Sequence, residues 1–154
     1  CCRRTAACSG LAGTGCPVNG PALATAGDTV ALAWFTSAGG QPRVKVAFSA
    51  DAGAQFGAPV VVDGGKPEGR VGVVFLTADK ALVSWLATVE GGAEIRVVEV
   101  GTDGRKGEAL TVAAVSPSRD SGFPQMVKYG DGVLFAWTVV EGDATHLASA
   151  LWRP

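Results

Sequence analysis

Three tryptophans constrain this chain more than any other feature. Trp34 sits in "VALAWFT", Trp85 in "ALVSWLA" and Trp137 in "VLFAWTV", 51 and then 52 residues apart. The match extends on both sides. Eleven residues before each Trp stands an apolar residue, Leu23, Val74 or Met126, and ten residues after it stands another, Val44, Ile95 or Leu147. A period of about 50 residues is that of a propeller blade, a unit that buries its apolar faces by stacking on its neighbours.

Within each repeat the apolar runs are short and β-like. Repeat one reads "PALAT", "TVALAWF", "RVKVAFS" and "APVVVD". Repeat two reads "VGVVFL", "ALVSWLA", "EIRVVEV" and "EALTVAA". Repeat three reads "FPQMVK", "VLFAWTV" and "THLASAL". The links between runs are rich in Gly and Asp, which tolerate positive φ or bond their own backbone. No window sustains a 3.6-residue apolar period, and Gly interrupts the longer stretches, which argues against helices. A two-sheet sandwich could use the same strands, but it does not require such a repeat. The expected fold is therefore all-β, a partial β-propeller of about three four-stranded blades. Residues 1–15 form a Cys-rich N-terminal segment, and the blades fall at about 16–64, 65–115 and 116–154. The third repeat reaches only three strands. Open blade edges and uncovered apolar flanks are expected to promote self-association.

Composition narrows the function classes. With 154 residues the chain is one domain's length, and 47% hydrophobic against 18% charged residues is not a disordered composition. The net charge of −1 gives no electrostatic case for nucleic acid or an anionic membrane. No apolar run approaches the roughly 20 residues of a membrane-spanning helix. The sequence starts at Cys1 rather than Met, so it is expected to be a processed product or a fragment. Cys1, Cys2, Cys8 and Cys16 are expected to form one or two disulfides in an exported protein, with the pairing open. They offer no C-x-x-C pair, and the single His146 lies far away in sequence, so no metal site is expected. No Gly-rich phosphate cradle or Ser/His/Asp set is present, and no cofactor is expected.

One turn carries a more specific pattern. "SADAGAQF" places Ser49, Asp51, Gly53 and Phe56 at fixed offsets between the third and fourth runs of repeat one. Asp in a tight turn caps backbone N–H groups, and Gly53 permits the backbone angle, so these residues are expected to be structural. "GTDGRKG" keeps a degraded form with Asp103 and Gly104. The Ser-x-Asp-x-Gly-x-x-Phe pattern resembles the Asp box of sialidase-type propellers. Together with "GCPVNGPALA", "VALAWFT", "VKVAFSADAGAQFGAPV", "SGFPQM" and "VLFAWT", it resembles the bacterial exo-α-sialidase-like, BNR-repeat group over about residues 15 to 152. The resemblance implies an exported bacterial protein whose parent is six-bladed, with a glycan-related role. That role would be carbohydrate binding, or glycoside hydrolysis in the intact parent. A non-catalytic propeller scaffold for protein–protein interaction is the alternative.

In a blade the first strand is innermost, so the segments leading into it should ring the channel mouth. These are "CPVNGP" with Asn19, "KPEGRV" with Glu68 and Arg70, and "SRDSGFP" with Arg119 and Asp120. Two arginines at one mouth can grip a carboxylate in bidentate fashion. Sialidases hold the sialic acid carboxylate with three arginines, so the resemblance suggests an acidic glycan as partner, with Arg70 and Arg119 as candidates. The same enzymes use a tyrosine nucleophile with a glutamate partner and an aspartic acid as acid/base. The only tyrosine, Tyr129, falls in a turn expected at the opposite face, and Asp120 and Glu68 sit in no matching motif. The full catalytic set is not recognisable here.

Overall fold

The computed structural model describes residues 20–117 and 122–154. Among them eleven strands form three antiparallel sheets of four, four and three strands. Sheet one contains β1 (Ala22–Ala26), β2 (Thr29–Thr36), β3 (Arg43–Ser49) and β4 (Val60–Val61). Sheet two contains β5 (Pro67–Thr77), β6 (Lys80–Val89), β7 (Gly92–Gly101) and β8 (Leu110–Val115). Sheet three contains β9 (Gln125–Tyr129), β10 (Gly132–Glu141) and β11 (Ala144–Trp152). Each is a meander in which successive strands are neighbours. The all-β class and the division into three sheets follow the sequence repeat.

The repeat is visible in the pairing itself. Trp34 lies opposite Lys45, Trp85 opposite Arg96 and Trp137 opposite Ala148, the same offset in each second hairpin. The first hairpins differ in one respect. Sheets one and three turn through Gly27-Asp28 and Gly130-Asp131, and both glycines have φ of 59°. A positive φ at the first turn position suits the strand twist. Sheet two has Ala78 at that position, and its ladder slips between Phe75↔Ala81 and Thr77↔Lys80. A one-residue slip sends side chains to the opposite face. Val74 therefore pairs with Leu82, whereas Leu23 and Met126 pair with Leu32 and Phe135. The three residues align in sequence, but Val74 points to the other side of its sheet.

The sheets stack in chain order around two apolar clusters. Ala31, Ala33, Val44 and Val46 of sheet one meet Val73, Val83, Trp85 and Val98 of sheet two. Leu82, Leu86, Ile95 and Val97 on the other face of sheet two meet Val133 and Phe135, with Trp137 and Trp152 partly buried alongside. Trp85 thus faces the preceding sheet, and so does Trp137. Trp34 shares the face of β2 that points away from sheet two, as alternation from Ala33 requires. The leading strands lie together, β5 beside β1 on one side and β9 on the other. Close approach there depends on Gly72. A Cβ at that position would stand 2.7 Å from both Met126 Sδ and Ser84 Oγ. Glycine lets the β9 methionine settle over β5, where Ser84 Oγ donates to its sulfur at 3.1 Å.

Candidate functional site

The two ends of the stack differ in chemistry. One end carries the turns between first and second strands and those that follow the third strands. The "SADAGAQF" turn lies here. Ser49 Oγ donates to Asp51 Oδ1 at 2.7 Å and accepts the Gly53 N–H at 2.9 Å, while Asp51 Oδ1 accepts the Gln55 N–H at 2.8 Å. Gly53 has φ of 84°, in the region that favours glycine. Phe56, which closes the pattern, is half-buried. Asp51 is held below the ordinary aspartate value, first by the Ser49 hydroxyl and then by the Gln55 N–H. These bonds are made within the turn.

That shift has a pH consequence. The folded value lies below the unfolded one, so the stabilisation is present above the unfolded pKa of about 4 and fades as pH falls through the folded value. Asp51→Ala should lower the thermal midpoint at neutral pH. The gap to the unsubstituted chain should narrow as pH falls below the unfolded value. Melting curves across that range check it, and a gap independent of pH would assign the effect to something other than the carboxylate.

A second repeated residue at this end escaped the sequence reading. The Asp28 carbonyl accepts the Ala52 N–H at 2.9 Å, and the Asp79 carbonyl accepts the Thr102 N–H at 2.8 Å. Each ties the first turn of a sheet to the turn after its third strand. In sheet three the matching Asp131 pairs with Arg153 at 3.6 Å. Asp28, Asp79 and Asp131 recur at the spacing of the tryptophans, a signal available in the sequence. A cleft of about 450 Å³ sits beside Asp79. Four of its charges pair, Lys80 with Glu99 at 2.8 Å and Arg105 with Asp103 at 3.5 Å, while Asp79 accepts from the Thr77 hydroxyl and Lys106 donates to the Val61 carbonyl.

The opposite end holds the start of β5 and the residues just before it, and Glu68 and Arg70, expected in the segment leading into this strand, lie within it. Gly65, Lys66, Gly69 and Arg70 have φ of 112°, 51°, 93° and 52°. Lys66 and Arg70 are two of only three described non-glycine residues in this region. Such backbone is costly and persists where the surroundings impose it. Two local constraints are visible. The Lys66 carbonyl accepts the Thr88 N–H at 3.0 Å, and Glu68 Oε1 accepts from Thr88 Oγ1 at 2.6 Å. The ladder then skips between Gly69 and Gly72, so Arg70 sits in a bulge. Bulges re-aim side chains. Here the Arg70 guanidinium carbon stands 5.8 Å from the ring centroid of Phe123, which leads into β9 and is 47% exposed.

The structure therefore brings Glu68 and Arg70 to one end and adds Phe123, which the sequence reading did not single out. Arg119, Asp120 and Asn19 lie outside the described residues, as do Cys1, Cys2, Cys8 and Cys16. Tyr129 ends β9, at the far end of that strand from Phe123, and is exposed. His146 lies exposed on β11. Among the described residues no group of three or more His, Cys, Asp or Glu is placed to hold a metal ion. No described helix is long and apolar enough to cross a membrane. The Arg70 guanidinium over the Phe123 ring is a cation–π contact that ties the start of β5 to the segment leading into β9.

A scan against family models and searches of curated proteins and of solved structures find no match.

Proposed function

We propose that this chain is part of a propeller-type stack of sheets and works as a binding module for an acidic glycan, at the end where β5 and β9 begin. The propeller reading is supported by the shared register, by the stacking order of Trp85 and Trp137, and by the adjacency of β1, β5 and β9. The functional reading rests on one observation, the Arg70 guanidinium carried by a positive-φ bulge onto exposed Phe123. A sugar ring can lie against the aromatic face while its carboxylate meets the guanidinium. Glu68, tied to Thr88 of β6, anchors the first residues of β5. Hydrolysis by a sialidase route belongs to an intact parent, because Tyr129 stands at the wrong end of β9 for a nucleophile beside Arg70.

Titration of the chain with N-acetylneuraminic acid, followed by NMR shifts of the Arg70 and Phe123 resonances, tests this. Binding is expected, with neutral galactose weaker. Arg70→Lys should reduce affinity by about three- to tenfold, because Lys lacks the planar fork, and Phe123→Ala should do likewise. Equal affinity for the neutral sugar, or binding unchanged in both variants, would overturn the assignment.

A further inference from the structure

The gap between sheets one and two is closed beside the fourth strand, and the matching gap between sheets two and three is open. In the first gap Ala31, Val46 and Val60 of sheet one share a cluster with Val100 of sheet two. Ala109, immediately before β8, packs against that cluster, and Lys106 Nζ donates to the Val61 carbonyl at 3.0 Å. One repeat later the counterparts are Leu82, Val97, Leu110 and Trp152, since Val97 pairs with Leu110 as Val46 pairs with Val60. These four line a cleft of about 310 Å³. Val60 is half-buried, whereas Leu110 is 49% exposed. The strand order shows what differs. Sheets one and two each carry a fourth strand beside the third, but β11 has β10 as its one ladder partner among the described residues.

We propose that the β11 edge and this cleft together dock an extended segment of another polypeptide, added antiparallel as a fourth strand, with a small apolar residue just ahead of it seated in the cleft. The sheets that have a fourth strand define this occupant. β4 and β8 both run antiparallel to the third strand, and neither Val60–Val61 nor Leu110–Val115 contains a charge or a proline. The small residue is the counterpart of Ala109. Val44 shows which backbone groups receive such a strand: its N–H donates to Asp63 and its carbonyl accepts from Val62. Leu147 holds the same repeat position, ten residues after the tryptophan. Alternation along an antiparallel strand then turns the N–H and C=O of Thr145, Leu147 and Ser149 outward from β10. An unpaired row of this kind is a template for another strand. In strand addition the main-chain bonds give affinity and a side-chain pocket gives specificity. The contact is independent of the glycan reading, since Phe123 leads into β9, on the other side of β10 from this edge.

Amide exchange of the full 154-residue chain, followed by NMR with and without a synthetic peptide copying residues 107–116, "GEALTVAAVS", tests the inference. The peptide should slow exchange at Leu147 and Ser149 by about tenfold or more, and change Ala148 little, because its N–H already faces β10. Leu110→Lys puts a charge into the cleft and should weaken the peptide at least about tenfold. Circular dichroism should show that variant still folded, because Leu110 is half exposed. On the unsubstituted chain, a peptide carrying Ala109→Asp should be weakened to a similar extent. No protection of Leu147 and Ser149 would overturn the inference, and so would equal protection by a scrambled peptide or by the Ala109→Asp peptide. Slow exchange at both amides before any peptide is added would mean that this chain's own residues already hold the edge, and would overturn the docking of a separate strand.

Discussion

Trp85→Ala should lower the free energy of unfolding by about 3–5 kcal/mol, the range for deleting a large aromatic from a packed core. Trp85 is 1% exposed and belongs to the cluster that joins sheets one and two. Its neighbours there are strand side chains held by two sets of ladders, so the space left behind cannot collapse readily. The indole adds a second term of opposite sign. Its Nε1 is buried with no hydrogen-bond partner among the described residues. An unpaired buried donor is a standing penalty. Trp85→Phe removes that donor while keeping most of the ring, and should cost less than about 1.5 kcal/mol. Denaturant unfolding of the three proteins checks both statements. A loss in Trp85→Phe as large as in Trp85→Ala would mean that the indole N–H is bonded after all.

Asp63→Ala should cost about 2–4 kcal/mol, through a lost charged hydrogen bond and a donor left without its acceptor. The Asp63 side chain is 1% exposed. Its Oδ1 accepts the Val44 N–H at 2.6 Å, and its Oδ2 accepts the Gly65 N–H at 3.1 Å with Arg43 at 3.5 Å. The pairing of β3 with β4 explains the need. β4 has only two residues, and the ladder with β3 covers Val60 and Val61. Val62 still donates to the Val44 carbonyl, and the reciprocal bond from the Val44 N–H goes to the Asp63 carboxylate in place of the Val62 carbonyl. Arg43→Ala should cost far less, since its guanidinium is partly exposed and the pair is long. Unfolding midpoints for the two variants separate these roles. Equal losses would shift the weight from the backbone bonds to the ion pair.

The strands, their order and their grouping were legible because period and alternation are properties of the sequence. Trp34, Trp85 and Trp137 fall at matched register, as their spacing implies. The orientation of Val74 was not legible, because it depends on a slip in the ladder where Ala78 replaces a turn glycine. Only the pairing partner reveals that slip. Asp63 was missed for a similar reason. Its sequence surroundings, "VVDGGK", read as an ordinary turn, and its value lies in a donor nineteen residues earlier. At the end where β5 and β9 begin, the repeat pointed to Glu68 and Arg70, although they lie inside β5 rather than before it. Phe123 was not, because it joins Arg70 only once β5 and β9 lie side by side.

The stacking order is the claim on which the rest depends, and NOE contacts from the Trp85 indole protons test it most directly. They should reach the methyl groups of Ala31, Ala33, Val44 and Val46 in sheet one. Phe135 should instead give contacts to Leu82 and Leu86 on the other side of sheet two. Trp85 contacts to Val133 or Phe135, with none to sheet one, would contradict the order in which the sheets are stacked.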